Sequence, residues 1–97
     1  MSNQVIVSGT IIEISGLRYT PCGVSVVEFK ASHGSHQMEA GRPRKVECEI
    51  SAVALAQVAE AIAGMSLGVE LKLTGFLARK SRMSSLLLLH VSKVDLI

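Results

Sequence analysis

Apolar and polar residues alternate along most of this chain, and the phase of that alternation marks out strands. Val69, Leu71 and Leu73 interleave with Glu70, Lys72 and Thr74, the period of two expected of a strand with one buried face. Arg44 to Ile50 repeats the pattern, with Val46, Cys48 and Ile50 predicted inward and Lys45, Glu47 and Glu49 outward. Near the start, Val5-Ile6-Val7, Ser8-Gly9-Thr10 and Ile11-Ile12-Glu13-Ile14 make a long β-branched run. A strand of that length must bend, and Gly9 is where bending costs least. Val24 to Ala31 reads as another strand, with Val24, Val26 or Val27, and Phe29 as core candidates. The final strand opens as Leu86-Leu87-Leu88-Leu89, too continuously apolar for one face to meet water. It resumes as Val91, Val94 and Leu96, and the phase slip at Ser92-Lys93 predicts a bulge. In the strand before it, Gly75-Phe76 marks a bend, a bulge or a close approach of another backbone.

The segments between these strands read as loops and one helix. Ser15-Gly16 to Gly23 carries Arg18, Tyr19 and the turn-former Pro21. Ser32 to Pro43 is a polar stretch with His33, His36, Gln37, Glu39 and Gly41, expected to be a long connector. Ser51 is expected to cap a helix running to Ala63, with Leu55, Val58 and Ile62 as its apolar stripe and Gly64 as its left-handed terminator. Arg79-Lys80-Ser81-Arg82-Met83-Ser84-Ser85 joins the last two strands with three cations, three serines and no acid. The order is strand-strand-strand-helix-strand-strand over a single domain spanning residues 1–97. Five strands with one short helix between the third and fourth is the all-β layout of the OB-fold barrel. That fold takes single-stranded nucleic acid on the face of its second and third strands and on the loops joining strands one to two and four to five. Here those loops are Ser15–Gly23 and Arg79–Ser85, and both carry cations.

Composition narrows the function. The chain is 48% hydrophobic, yet no apolar run approaches the ~18 residues of a membrane span. Met1-Ser2-Asn3-Gln4 has no positive region before the first apolar stretch, so no signal peptide and no membrane partner is expected. An apolar excess without a membrane segment predicts a buried subunit interface, hence a homodimer. Ten Lys and Arg against eight Asp and Glu is too mild a balance to announce nucleic acid by itself. Clustering decides instead: Arg42, Arg44 and Lys45 form one basic group and Arg79, Lys80 and Arg82 another. Cations interleaved with small hydroxyls suit phosphate contact. With Arg18 and Tyr19 in the first loop and Lys30 on the second strand, these residues are the candidate DNA contacts. Aromatics make up only 3% of the chain. Phe29 is assigned to the core, and Phe76 to the core ahead of a stacking role. Tyr19 is the better candidate for a base platform. Cys22 and Cys48 lie in different segments and read as reduced thiols of a cytoplasmic protein.

Catalytic chemistry finds little support. No glycine-rich phosphate loop, carboxylate pair or nucleophile with a partnered base is spaced for it, so no enzyme and no cofactor is expected. His33 and His36 with either cysteine match no standard zinc-ligand spacing. Two classes remain, a DNA-binding module and a protein-interaction adaptor. The clustered cations favour the first and the scarce aromatics the second.

Several short motifs together resemble a known family. Ser8-Gly9-Thr10, then Thr20-Pro21-Cys22-Gly23-Val24 and Phe29, are similar to the first two strands of primosomal replication protein N, the PriB family. Ser35-His36-Gln37-Met38-Glu39-Ala40-Gly41 resembles that family's next connector, and Cys48, Gly75-Phe76 and Leu89-His90 fit its later strands. The family sits within the bacterial single-stranded DNA-binding protein superfamily. The resemblance implies a dimer of OB-folds that binds single-stranded DNA in replication restart, contacting the primosomal helicase and helicase-loading factors. Lys80 and Arg82 match the basic residues of the family's loop between its last two strands. Arg42 and Glu47 stand where some members place aromatics, a departure that predicts weaker base stacking.

Overall fold

The computed structural model describes all 97 residues. Six strands and one helix follow in order: β1 (Val5–Ile14), β2 (Arg18–Tyr19), β3 (Ser25–Glu39), β4 (Arg42–Leu55), α1 (Ala56–Ala63), β5 (Glu70–Arg79) and β6 (Leu87–Leu96). The sheet runs β1-β5-β6-β4-β3-β2, and an added β1–β3 pairing closes five of the strands into a barrel. Every pairing is antiparallel except β4 with β6, which run parallel through Ala52↔Leu89, Val53↔His90 and Ala54↔Val91. The two-residue β2 is an addition to the expected order, formed where Arg18 and Tyr19 pair with Val26 and Ser25 inside the first loop. The fold is an OB-fold.

Closure depends on β1 serving two neighbours. Its Val5–Thr10 half pairs with β5 and its Thr10–Ile14 half with β3. The hand-over falls beside Gly9, where an added Cβ would stand 2.9 Å from the Ala31 side chain. The bulge in β1 lies further on, between Ile11 and Glu13, so Gly9 supplies close approach and Ile12 the irregularity. Inside the barrel Ile11, Val27, Phe29, Ala31, Ala52, Ala54, Leu71, Leu73, Leu89 and Val91 form one core, and Ala59 and Ile62 of α1 close one end. Burying such a set of aliphatic side chains contributes about 1.5–3 kcal/mol for each large one, the main favourable term in folding.

Five expectations about the middle of the chain are corrected. Ser32–Pro43 is not a connector: β3 and β4 stay in register from Val26↔Leu55 out to Glu39↔Arg42, a long two-stranded arm. Only Ala40 and Gly41 turn it, with φ of 51° and 75°, the positive pair that a two-residue type I′ hairpin needs. Cys48 is exposed on that arm rather than directed inward. The helix begins at Ala56, not at Ser51, because Ser51–Leu55 extends β4 along Val26–Lys30 of β3. Its buried face is Ala59 and Ile62, whereas Leu55 is exposed. Ala56 has a φ of 56°, uncommon for a side chain, and its carbonyl accepts a hydrogen bond from the buried Ser25 hydroxyl at 3.1 Å. Gly64 ends the helix in a right-handed conformation (φ −86°), so its expected left-handed role is also corrected.

The last hairpin matches its sequence pattern. β5 and β6 pair from Leu71↔Leu96 to Arg79↔Leu87, and the register slips so that Ser92 is the unpaired residue. Opposite it, Gly75 admits the other strand: a Cβ there would fall 1.9 Å from the His90 carbonyl oxygen. Leu88 and Leu89 are buried, but Leu86 and Leu87 are exposed, contrary to the reading of the leucine run as wholly covered.

Candidate nucleic-acid interface

Residues alternate in and out around the barrel wall, and the outward set of β1, β3 and β4 faces one cleft. Glu13 and Lys30 are registered partners across β1 and β3, and Lys30 and Ser51 across β3 and β4. The Lys80–Leu86 segment arches beside them, its neck closed by the Lys80 amide donating to the Leu86 carbonyl at 2.9 Å. Together these elements enclose about 420 Å³, lined by Glu13, Glu28, Lys30, Ser51, Lys80 and the leucines 86–88, among others.

The candidate contacts divide by place and by pairing. Lys30 and Lys80 line the cleft itself. Lys30 lies 3.7 Å from Glu13, and Arg18 on β2 lies 3.6 Å from Glu28. Tyr19, next to Arg18, is 63% exposed and free to stack. Arg79, Lys80 and Arg82 take part in no ion pair, so the loop beside the cleft presents its cations unneutralised. Arg42, Arg44 and Lys45 are carried away to the tip of the β3–β4 arm. Arg42 there is unpaired, but Arg44 is bonded to Glu39 and Lys45 lies 2.8 Å from Glu47. Counting registered pairs from Lys30, the arm tip lies roughly 30 Å from the cleft at about 3.3 Å per residue.

Sequence reasoning passed over Glu13 and Glu28. Each is a single acid in an alternating strand, and only the pairing across β1, β3 and β2 brings it against a cation. With Lys30 and Lys80 opposite Glu13 and Glu28, the ionisable groups lining the cleft balance in charge. Phe76 is likewise corrected: it is 43% exposed on the outer wall, not in the core.

The model of another single-strand binding protein family matches residues 3–93. Replication restart protein PriB of Nitrosomonas europaea is 47% identical over 95 residues, covering 98% of this chain and 88% of that protein. The chain belongs to the PriB family. The PriB structure from Ralstonia solanacearum superposes with a TM-score of 0.92 at 32% identity, covering 99% of this chain and 98% of that one. The single-stranded DNA binding protein from Thermus aquaticus shares the fold at a TM-score of 0.78 and 21% identity, over 99% of this chain and 50% of that one. Seen as a PriB-family barrel, the cleft occupies the strand face and loop set that OB-folds present to ligands.

Proposed function

We propose that the protein binds single-stranded DNA during replication restart, through the cleft on β1, β3 and β4 and the cationic loop beside it. The observation that carries this reading is Lys80 in the lining of an outward cleft, with Arg79 and Arg82 next to it in the chain and all three free of ion pairs. Binding is sequence-tolerant because nothing in the cleft resembles a base-edge reading set, and modest because Glu13 and Glu28 oppose phosphate there.

A second role is favoured by the cleft's other wall. Leu86 and Leu87 are exposed apolar side chains beside a charge-balanced floor, a surface suited to a protein partner as much as to phosphate. We therefore assign the protein, acting as a cytoplasmic homodimer, to bridging the primosomal helicase and helicase-loading factors, with DNA held as the weaker ligand. No catalytic step is assigned to it.

Fluorescence anisotropy with labelled oligonucleotides at several salt concentrations tests the DNA reading. With ~3–5 phosphates neutralised per site, log K falls against log salt with a slope of about −2 to −3.5. A salt-independent affinity, or a strong preference for one base sequence, would refute it.

A further inference from the structure

The outer wall of β5 and β6 holds an aromatic pair that the cleft does not use. Phe76 and His90 are registered partners, with ring centroids 5.1 Å apart and planes 10° from parallel. We propose that this pair is a stacking platform for a nucleobase of single-stranded DNA that runs on from the cleft across the barrel wall. The inference rests on the reading of the cleft as a DNA site.

The wall is continuous from one site to the other. Leu88 lines the cleft and is registered with Ala78, two residues before which Phe76 faces His90. Val53 of β4 is registered with His90 on the other side, and Val53, Val26 and Leu88 pack as a small cluster along this path. Ala78 contributes only a methyl group, so nothing bulky separates the cleft from the stack. Because Gly75 lacks a Cβ, the His90 backbone presses against β5 at the residue before Phe76. That close approach fixes the two strands, and hence the two rings, before any ligand arrives.

Charge supports the same occupant. Lys72 and Lys80 stand four residues to either side of Phe76, about 13 Å away along a strand, and neither is in an ion pair. Lys93 faces Thr74 on the neighbouring strand and is 70% exposed, although Asp95, opposite Lys72, lies 3.8 Å from it. A half-exposed aromatic pair between two free ammonium groups matches what a single strand offers, a π-face on each base and phosphates on either side.

The test compares oligothymidylates of ~6 and ~20 nucleotides, since one OB-fold covers about 4–16. The wild-type protein and Phe76→Leu are titrated with both, and both are checked by thermal unfolding. Loss of stacking should weaken the longer oligonucleotide about fivefold or more and leave the shorter one unchanged. Phe76→Tyr keeps the ring and should bind both as the wild type does, which keeps the test intact if the leucine variant folds poorly. Ultraviolet cross-linking with 5-bromodeoxyuridine in the longer oligonucleotide should mark Phe76 or His90. The platform is overturned if Phe76→Leu binds both lengths normally, or if cross-links fall only in the cleft, while replacing Lys80 and Arg82 still lowers affinity. It is also overturned if Phe76→Leu changes the sedimentation of the protein and not its DNA affinity, since a second copy then covers the wall. Failure of the wild-type protein to bind either oligonucleotide defeats the cleft reading itself, and the platform with it.

Discussion

Ten cations are spread over this small surface, and their neighbours decide which of them a phosphate would meet. Exposed ion pairs contribute only ~0–1 kcal/mol each to stability, yet they occupy charge that a ligand would otherwise use. Arg44 and Lys45 are so occupied at the arm tip, and Lys30 and Arg18 at the cleft, leaving Arg79, Lys80 and Arg82 unpaired beside it. Replacing Lys80 and Arg82 by alanine should therefore lower DNA affinity and flatten the salt slope by ~1.4, two contacts at ~0.7 each. Folding should hardly change, because the loop buries little. Replacing Arg42 and Arg44 should cost less, and anisotropy titrations of both double variants in low salt make the comparison. A larger loss from the second pair would move the main contact to the arm. The sequence already separated these clusters, since acids flank only one of them. It did not disclose that Arg42 escapes pairing, nor that Glu13 and Glu28 face the cleft. Both facts depend on which strands lie side by side.

At the scale of elements, the sequence was legible wherever one face is buried against the core. The β5–β6 hairpin, its bulge at Ser92 and the intolerance of Gly75 all followed from alternation and from a glycine out of place. Of the β3–β4 arm, Arg44–Ile50 was legible as a strand, but its β3 partner was not, because no apolar alternation survives in Ser32–Glu39. Its two-residue turn was hidden as well, since Ala40 rather than asparagine or aspartate precedes Gly41. The start of the helix was misplaced for a related reason: alanines at 52 and 54 suit a barrel interior as readily as a helix. Gly75 offers the sharpest test at this scale. Gly75→Ala drives a methyl into the His90 carbonyl, a backbone atom that cannot swing aside. It should cost at least ~2 kcal/mol in urea denaturation by the strain of overpacking. Gly16→Ala, with nothing within 4 Å, should stay within ~0.5 kcal/mol. Equal effects would mean that the bulge relaxes freely and that the pairing of β5 with β6 is less constrained than its register implies.

For the whole molecule, the remaining question is what covers the surface that a lone barrel leaves open. Ile6, Leu67, Leu77, Leu86, Leu87, Leu96 and Ile97 are all exposed, large apolar side chains that a partner surface would cover. The backbone adds a second motive. From Val5 to Gly9, β1 pairs with β5 on one edge only, because β3 joins the other edge no earlier than Thr10. A strand with one row of unpaired amides and carbonyls invites another strand, and a second copy of the same edge satisfies it by symmetry. The single side-chain cap there is His33, whose Nδ1 lies 2.7 Å from the Ser8 carbonyl oxygen while its Nε2 meets the Ser35 hydroxyl at 2.9 Å. That cap protects one carbonyl and leaves the rest of the edge available. Sedimentation equilibrium at micromolar concentration should accordingly give twice the 10.3 kDa chain mass. Backbone hydrogen exchange should show the Val5–Gly9 amides slowing as concentration rises through the dissociation constant, with the arm amides indifferent to it. A 10.3 kDa species throughout that range would remove the dimer. A dimer whose Val5–Gly9 amides exchange at a constant rate would keep the stoichiometry and place the interface on another face.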